Sequence, residues 1–213
     1  MNPHAFNRLH SLRMENTAAK YHLDDLRPRF ERITQRHQNG TAPRAVVAFQ
    51  LFQTPAPLAA RLAALLHLEP GARVLDPSAG LGRLIDAVEI YHPGEVVAVE
   101  VSPQCAGELY RRNQEGFGMV IRQRDFLTCT PAEFGLFDAV AMNPPFHMRA
   151  DIRHIEHARK FLKPGGRLAA ICMDTEHRRA ALQPLAATWD TIPEGGFSEA
   201  GTRVPVVLLT IQN

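Results

Sequence analysis

The chain has 213 residues, of which 45% are hydrophobic and 22% charged, and its formal net charge is +2. This composition is typical of a globular protein and argues against a fibrous or intrinsically disordered chain. The length favours one full-sized domain with an appendage over two independent catalytic domains. Charges or prolines interrupt every apolar run before it reaches the roughly 20 residues of a membrane span.

The opening stretch, MNPHAFNRLHSLRMENT, carries charges where a secretory signal would have an apolar run. We therefore expect no export, no membrane partner and a cytoplasmic location. Buried free thiols are expected, rather than a disulfide framework or a CxxC zinc site, for the three widely spaced cysteines, Cys105, Cys129 and Cys172. Solvated helix side chains, rather than metal ligands, are expected for the neighbouring histidines His147, His154 and His157.

The N-terminal segment, residues 1–45, differs in charge from the rest of the chain. It holds eight Lys or Arg and four Asp or Glu. Its apolar residues recur at three- and four-residue intervals, interrupted by Pro28, which indicates two or three amphipathic helices. A turn-rich stretch at 38–43 marks a boundary. We predict a basic helical extension over 1–45, whose cations meet phosphates or form a solvated face, and a second domain over 46–213.

From residue 46 onwards strands and helices alternate. A helix is expected in PAPLAARLAALLHLEPG, and further helices in LIDAVEIY, PQCAGELYRRNQ, DIRHIEHARKFL and RRAALQPLAATW. Strands are expected in ARVLD, EVVAVE, GMVIRQ, FDAVAMN, RLAAIC and VPVVLLTI. Strands separated by helices of this length predict an α/β fold, a doubly wound parallel sheet with helices on both faces.

The residues that can bind a ligand or take part in a reaction follow the ends of the first four strands. They are the turn Asp76-Pro77-Ser78-Ala79-Gly80-Leu81-Gly82, Glu100, the pair Asp125-Phe126 and the stretch Asn143-Pro144-Pro145-Phe146. Ligands of open parallel sheets bind beyond these carboxyl ends, so mere turns at all four positions would be a coincidence. A dinucleotide is disfavoured, because GLGRLI supplies only two glycines of the GxGxxG fingerprint.

These strand ends resemble the class I S-adenosylmethionine-dependent methyltransferases over residues 50–213, and most of all the branch that methylates amino groups. NPPF at 143–146 is similar to the amino-methylating signature and is the most specific element. DPSAGLG resembles the cofactor turn DPxxGxG, although Leu81 replaces the commoner Thr or Ser. FQTPAPLA and FLKPGGRLAAI resemble the motifs around the first and fifth strands. The resemblance implies a Rossmann-like sheet of seven strands with a reversed last strand at 205–212.

The resemblance also implies S-adenosylmethionine as the cofactor. Thr54 and Pro55 would lie over its methionine part, Glu100 would bind the ribose, and Asp125 with Phe126 would surround the adenine. The complete implied set is Thr54, Pro55, Asp76, Pro77, Ser78, Ala79, Gly80, Gly82, Glu100, Asp125, Phe126 and Asn143.

The NPPF stretch also suits amine chemistry on physical grounds. An exocyclic amine is a poor nucleophile, because its lone pair is delocalised into the base. The Asn143 side-chain oxygen and the Pro144 carbonyl can accept its two hydrogens and direct the lone pair at the methyl group. Pro144 and Pro145 offer no competing N–H, and Phe146 can stack on the base. The candidate catalytic residues are therefore Asn143, Pro144, Pro145 and Phe146.

Several acceptors share this signature. Adenine N6 in DNA or RNA is favoured by QTP and DPSAG. Guanine N2 in ribosomal RNA is favoured by NPPFH, in which His147 follows Phe146, and a protein glutamine is the third option. Outside enzymes, the chain could be a cofactor-binding partner subunit.

Recognition of a nucleic acid is expected from one of three places. These are residues 1–45, the glycine-rich loop at 193–203, or a separate partner subunit. The expected substrate-binding residues are Phe146, His147, Phe197 and Arg203.

Overall fold

The strands assemble into one seven-stranded sheet in a computed structural model of the chain, which describes residues 53–114, 118–192 and 205–213. The strands are β1 Arg73–Asp76, β2 Glu95–Glu100, β3 Met119–Gln123, β4 Phe137–Met142, β5 Leu162–Met173, β6 Thr188–Ile192 and β7 Val206–Gln212. Their order is β3-β2-β1-β4-β5-β7-β6. β7 pairs antiparallel with β5 and β6, and the other neighbouring strands pair in parallel.

Helices connect the strands within these ranges. The α-helices are α1 Ala56–Leu65, α2 Arg83–Glu89, α3 Pro103–Arg112, α4 Pro131–Phe134, α5 Ala150–Ala158 and α6 Glu176–Leu182. Short 3₁₀ turns cover Phe126–Thr128, His147–Arg149, Arg159–Phe161 and Gln183–Leu185. Proline at the first turn of α1, α3 and α4 suits a position whose N–H has no partner inside the helix.

Each face of the sheet carries its own apolar cluster, because successive side chains of a strand point to opposite faces. Val96 and Ala98 of β2 belong to the first cluster together with residues of α1, α2 and α3. Val97 and Val99 of the same strand belong to the second cluster, which α5 and α6 cover. Burial on both faces explains why the central strands are continuous apolar runs rather than alternating ones.

The strand order places the topological switch between β1 and β4. The chain moves outward from β1 through β2 to β3, then returns to pair β4 with the other side of β1. A crevice is expected where the connections diverge, beyond the carboxyl ends of these two strands. Asp76 ends β1, and Asn143 directly follows β4.

The doubly wound α/β sheet with its reversed last strand is confirmed, whereas two details predicted from the sequence are wrong. The sequence predicts Trp189 at the end of a helix, but α6 ends at Leu182 and Trp189 lies in β6. The sequence also predicts a solvated His154, which is only 9% exposed. The predicted segment 1–45 and the loop residues Phe197 and Arg203 lie outside the described residues. None of the helices in the described ranges has the length and apolarity that a membrane crossing demands.

Candidate functional site

The turn after β1 is held in a left-handed, open conformation. Gly80 has φ +52° and Gly82 has φ +84°, values that residues with a side chain rarely adopt. The Ala79 N–H donates to the Val99 carbonyl at 3.0 Å, which ties the turn to β2. Gly82 then precedes the first residue of α2. The residues of DPSAGLG up to Leu81 line the cavity at the end of the central strand, whereas Gly82 is buried at the start of α2.

Glu100 is fixed against this turn by two backbone donors. Its Oε2 accepts from the Gly80 N–H and its Oε1 from the Ser102 N–H, both at 2.7 Å. A carboxylate has about four lone-pair directions, so these two bonds orient the group without exhausting its capacity to accept. Glu100 is therefore a preorganised acceptor for hydroxyl groups of a ligand.

Asp76 is a buried acid at the centre of the site. It is 2% exposed, and its Oδ1 accepts from the Ser78 N–H at 3.1 Å. Burial raises the pKa of Asp76 to about 7, an effect that the charge of Glu100 reinforces and the Ser78 N–H opposes. A cation in the cavity would favour the ionised form.

Asn143 connects the end of β4 to the segment that precedes α1. Its Nδ2 donates to the Thr54 Oγ1 at 3.0 Å, and the Thr54 side chain is buried. This bond holds the plane of the amide beside the Thr54 hydroxyl. Thr54 thus orients the side chain on which the proposed chemistry depends.

A buried ion pair lies behind the NPPF stretch. The Arg178 guanidinium bonds both carboxylate oxygens of Asp151, with Nε to Oδ2 at 3.0 Å and Nη2 to Oδ1 at 3.1 Å. Nη2 also donates to the Phe146 carbonyl at 2.9 Å. Arg178 is 8% exposed and Asp151 fully buried. The sequence does not predict this pair, because its partners are 27 positions apart and no local pattern joins them.

The side of the site next to β3 is aromatic. Asp125 caps the 3₁₀ turn by accepting from the Leu127 N–H at 3.0 Å. Phe126 is buried, with ring centroids 4.9 Å from His157, 5.2 Å from Phe161 and 5.9 Å from His154. Burial lowers the pKa of His154 to about 4, so its ring is neutral at pH 7.

These elements enclose a cavity of about 570 Å³ beyond the carboxyl ends of β1, β2 and β4. The sequence-predicted residues that line it are Thr54, Asp76, Pro77, Ser78, Ala79, Gly80, Glu100, Asp125, Phe126, Asn143, Pro144, Pro145 and His147. Pro55, Gly82 and Phe146 are not among the lining residues. The Phe146 ring is half-buried against the first apolar cluster.

Other lining residues are not predicted from the sequence. They include Ser102, Gln104, Arg124, Arg153 and His154. Arg153 and His154 lie in the middle of α5, the helix that follows the NPPF stretch after a 3₁₀ turn, and no local sequence pattern predicts that they line the cavity.

The cavity suits an adenosine-bearing cofactor. Glu100 can accept from ribose hydroxyls, and Phe126, whose ring is buried in the second apolar cluster, belongs to an apolar part of the cavity wall. Ser78 Oγ is buried and has no hydrogen-bond partner within the residues that the structure describes. A buried hydroxyl without a partner is costly, so a ligand that bonds it would be stabilised.

Comparison with known proteins agrees with this geometry. The model of the methyltransferase small domain family matches residues 58–196. None of the curated proteins matches the chain in sequence.

Solved structures share the fold. PH1948 from Pyrococcus horikoshii has 20% identity and a TM-score of 0.63, over 80% of this chain and 88% of that one. TrmN from Thermus thermophilus has 24% identity and a TM-score of 0.60, over 74% of this chain and 49% of that one, so the match spans about half of TrmN. An rRNA methylase from Streptococcus thermophilus has 18% identity and a TM-score of 0.55, over 76% and 99%.

The family match extends from α1 to beyond β6 and so includes all four strand ends that form the cavity. The chain therefore belongs to the methyltransferase small domain family, as a class I S-adenosylmethionine-dependent methyltransferase whose cofactor is S-adenosylmethionine.

Proposed function

We propose that the chain methylates an exocyclic amino group of a nucleic-acid base, with adenine N6 in DNA or RNA as the first candidate. The observation that carries this proposal is the position of Asn143 and Pro144. Both line the same cavity as the cofactor turn and Glu100, and Thr54 fixes the Asn143 amide. An amine acceptor would therefore meet two oxygen acceptors beside the methyl donor.

The chemistry rests on positioning. S-adenosylmethionine supplies an electrophilic methyl group on a sulfonium. Asn143 Oδ1 and the Pro144 carbonyl accept the two hydrogens of the amine, which turns its lone pair away from the base and towards the cavity. Pro144 and Pro145 place no N–H beside the amine. The methylated amine loses its proton readily, so no strong general base is required.

We assign the cofactor to the predicted residues that line the cavity. Glu100 holds the ribose hydroxyls, Asp125 and Phe126 hold the adenine, and Thr54 lies beside the methionine part. The remaining contacts are assigned to the turn after β1, at Asp76, Pro77, Ser78, Ala79 and Gly80. Pro55 and Gly82 act through the backbone, by starting α1 and α2 at the correct angle.

The acceptor base is assigned to the NPPF side of the cavity. His147 is exposed and lines it. Phe146 is partly exposed but does not line the cavity, so its proposed contact with the base would lie outside the cavity wall. Phe197 and Arg203, outside the described residues, remain proposed substrate contacts.

Guanine N2 is the second candidate acceptor. It is favoured by His147, which follows the NPPF stretch and lines the cavity, where it could contact the base that Asn143 receives. The two candidates differ in the product nucleoside and not in the chemistry of transfer.

The deciding experiment is methyl transfer from labelled S-adenosylmethionine to genomic DNA, total RNA and total protein, followed by mass spectrometry of the nucleosides. N6-methyladenine, as ribo- or deoxyribonucleoside, is the expected product, and Asn143→Ala is the inactive control. N2-methylguanosine would establish the second candidate. Label in protein glutamine alone would refute a nucleic-acid substrate, and retained cofactor binding without any product would favour a partner subunit.

A further inference from the structure

We propose that His147, Met148, Arg149 and Arg153 form a contact surface for a single-stranded polynucleotide at the acceptor side of the cavity. This acceptor lip rests on the proposed function, because it presumes that the methylated base belongs to a nucleic acid. It extends that function by naming where the neighbouring nucleotides of the strand lie.

Met148 is an apolar residue that is almost fully exposed, so it does not contribute to the packing of the core. Its side chain is 87% exposed, and it is one of a few large apolar residues at the surface of the described part of the chain. It follows His147, which lines the cavity. An apolar side chain at the mouth of a base-binding site can pack against an unstacked base.

The backbone presents this side chain outward in an uncommon conformation. Met148 has φ 47° and ψ 33°, and Arg149 has φ 59° and ψ 31°. Two successive left-handed residues other than glycine are unusual, and such conformations persist where the surrounding structure fixes them. The surrounding structure therefore fixes the backbone at Met148 and Arg149 in this conformation.

Arg178 supplies that fixation. One guanidinium donates to the Phe146 carbonyl and pairs with the Asp151 carboxylate. It therefore anchors the chain on both sides of the left-handed residues 148 and 149. The segment between the anchors has a fixed direction before any substrate binds, which favours contact with a substrate.

The charges of the lip match a phosphodiester backbone. Arg149 immediately precedes α5, and Arg153 lies within that helix, where it lines the cavity. Both are exposed, and neither forms a salt bridge within the ranges that the structure describes. Two cations that follow Met148 and have no salt-bridge partner in that part of the chain suit the phosphates of a strand whose extruded base enters the cavity.

No carboxylate near the lip forms a salt bridge with Arg149 or Arg153 among the described residues. Asp151 is paired with Arg178 in the interior. Asp125 caps the 3₁₀ turn after β3, and its charge acts on His154, the neighbour of Arg153. Glu156 lies three residues after Arg153 on α5 without a salt bridge to it. The positive charge of the lip is therefore available to an anionic strand.

The test is binding of a fluorescein-labelled single-stranded oligoadenylate, prepared as RNA and as DNA, measured by anisotropy over a salt series. Arg149→Gln and Arg153→Gln are each expected to lower the salt slope by about 0.7, the contribution of one phosphate contact on a single strand. This corresponds to roughly fivefold weaker binding at 0.1 M salt. Arg61→Gln is the matched control, because it removes one cation outside the cavity.

Met148 is tested with two substitutions of similar length. Met148→Leu is expected to bind like the wild type. Met148→Gln is expected to bind several-fold more weakly with an unchanged salt slope, because it removes apolar packing and no charge. The RNA and DNA forms of the oligonucleotide show which sugar the lip accepts.

The outcomes separate this inference from the proposed function. Equal affinity and salt slope in all variants, with nucleic acid still methylated, would overturn the lip alone. No binding of either oligonucleotide by the wild type, with cofactor binding intact and label only in protein, would overturn both. Calorimetry with S-adenosylmethionine shows that each variant is folded.

Discussion

At the scale of single residues, a substitution of Asn143 should affect methyl transfer without affecting cofactor binding. Asn143→Ala is expected to lower kcat by about 10²–10³, the usual effect of removing one preorganised hydrogen-bonding group. Affinity for S-adenosylmethionine should change little, because we propose that the amide bonds the acceptor amine and not the cofactor. Single-turnover kinetics and calorimetry measure the two quantities.

Asn143→Asp is the matched variant, because it keeps an oxygen that can accept from the amine and can still bond Thr54. It should retain more activity than Asn143→Ala. Parallel loss of activity and cofactor affinity in both variants would contradict the assignment of Asn143 to the acceptor.

The raised pKa of the buried acid Asp76 leads to a second prediction at this scale, about the pH dependence of stability. Its folded pKa of about 7 lies above the ordinary value of 3.8, so the folded protein holds a proton that the unfolded chain releases. Well below pH 4, Asp76 is protonated in both the folded and the unfolded state. As the pH rises from about 4 to 7, the unfolded chain releases this proton more readily than the folded protein does, so the free energy of unfolding falls. Asp76→Asn should therefore raise the Tm at pH 8.5 and leave it nearly unchanged near pH 4.

Binding of the cofactor should release the proton that Asp76 holds in the folded protein. A cationic ligand favours ionised Asp76, so at pH 6 binding of S-adenosylmethionine should release protons, measured by calorimetry in buffers of different ionisation enthalpy. The release should be absent in Asp76→Asn. Equal proton release by the variant and the wild type would show that another group is responsible.

At the scale of elements, the Arg178–Asp151 pair joins α5 and α6 to the NPPF stretch. Arg178→Met should destabilise the fold by about 3–5 kcal/mol, because it leaves a buried carboxylate uncompensated. Arg178→Met with Asp151→Leu removes both charges and should recover much of that stability. We expect kcat to stay reduced in the double variant, since the Phe146 carbonyl still lacks its donor.

Denaturant unfolding and steady-state kinetics test this separation. Arg61→Met is the control, because both side chains of the Arg61–Asp190 pair are about half-exposed. If the double variant recovers both stability and kcat, the Arg178–Asp151 pair only stabilises the fold and does not position the NPPF stretch.

The elements also show what the sequence could and could not predict. β2 and β4 were predictable, because strands buried on both faces are continuous apolar runs that end in the site residues Glu100 and Asn143. β6 was not, since it lies at the sheet edge and its TWDTI buries only Ile192 fully. Burial of His154 and the Arg178–Asp151 pair depends on packing between elements distant in sequence, which a local pattern does not contain.

At the scale of the whole molecule, the uneven charge makes a prediction about substrate capture. Residues 1–45 carry a charge of +4, the difference between eight basic and four acidic residues. Replacing Arg29, Arg32 and Arg36 with Gln should weaken binding of the labelled oligoadenylate. The salt slope should fall by about 0.7 for each of these arginines that meets a phosphate. Arg111→Gln, on α3, is the control for removal of charge alone.

Unchanged binding across the salt series would assign recognition to other parts of the chain. The acceptor lip and the loop at 193–203 would then be the remaining candidates within the chain itself.

The pairing of β1 with β4 has a consequence for folding. Val74 lies opposite Ala139, and the bond between Thr54 and Asn143 spans 89 residues. The cavity therefore depends on contacts of high contact order, which form only after a long loop has closed. A chain that has folded only its β1–β2–β3 half has the cofactor turn but lacks the opposite wall. S-adenosylmethionine should consequently bind only the completed sheet, and a rise in its concentration should therefore raise the free energy of unfolding.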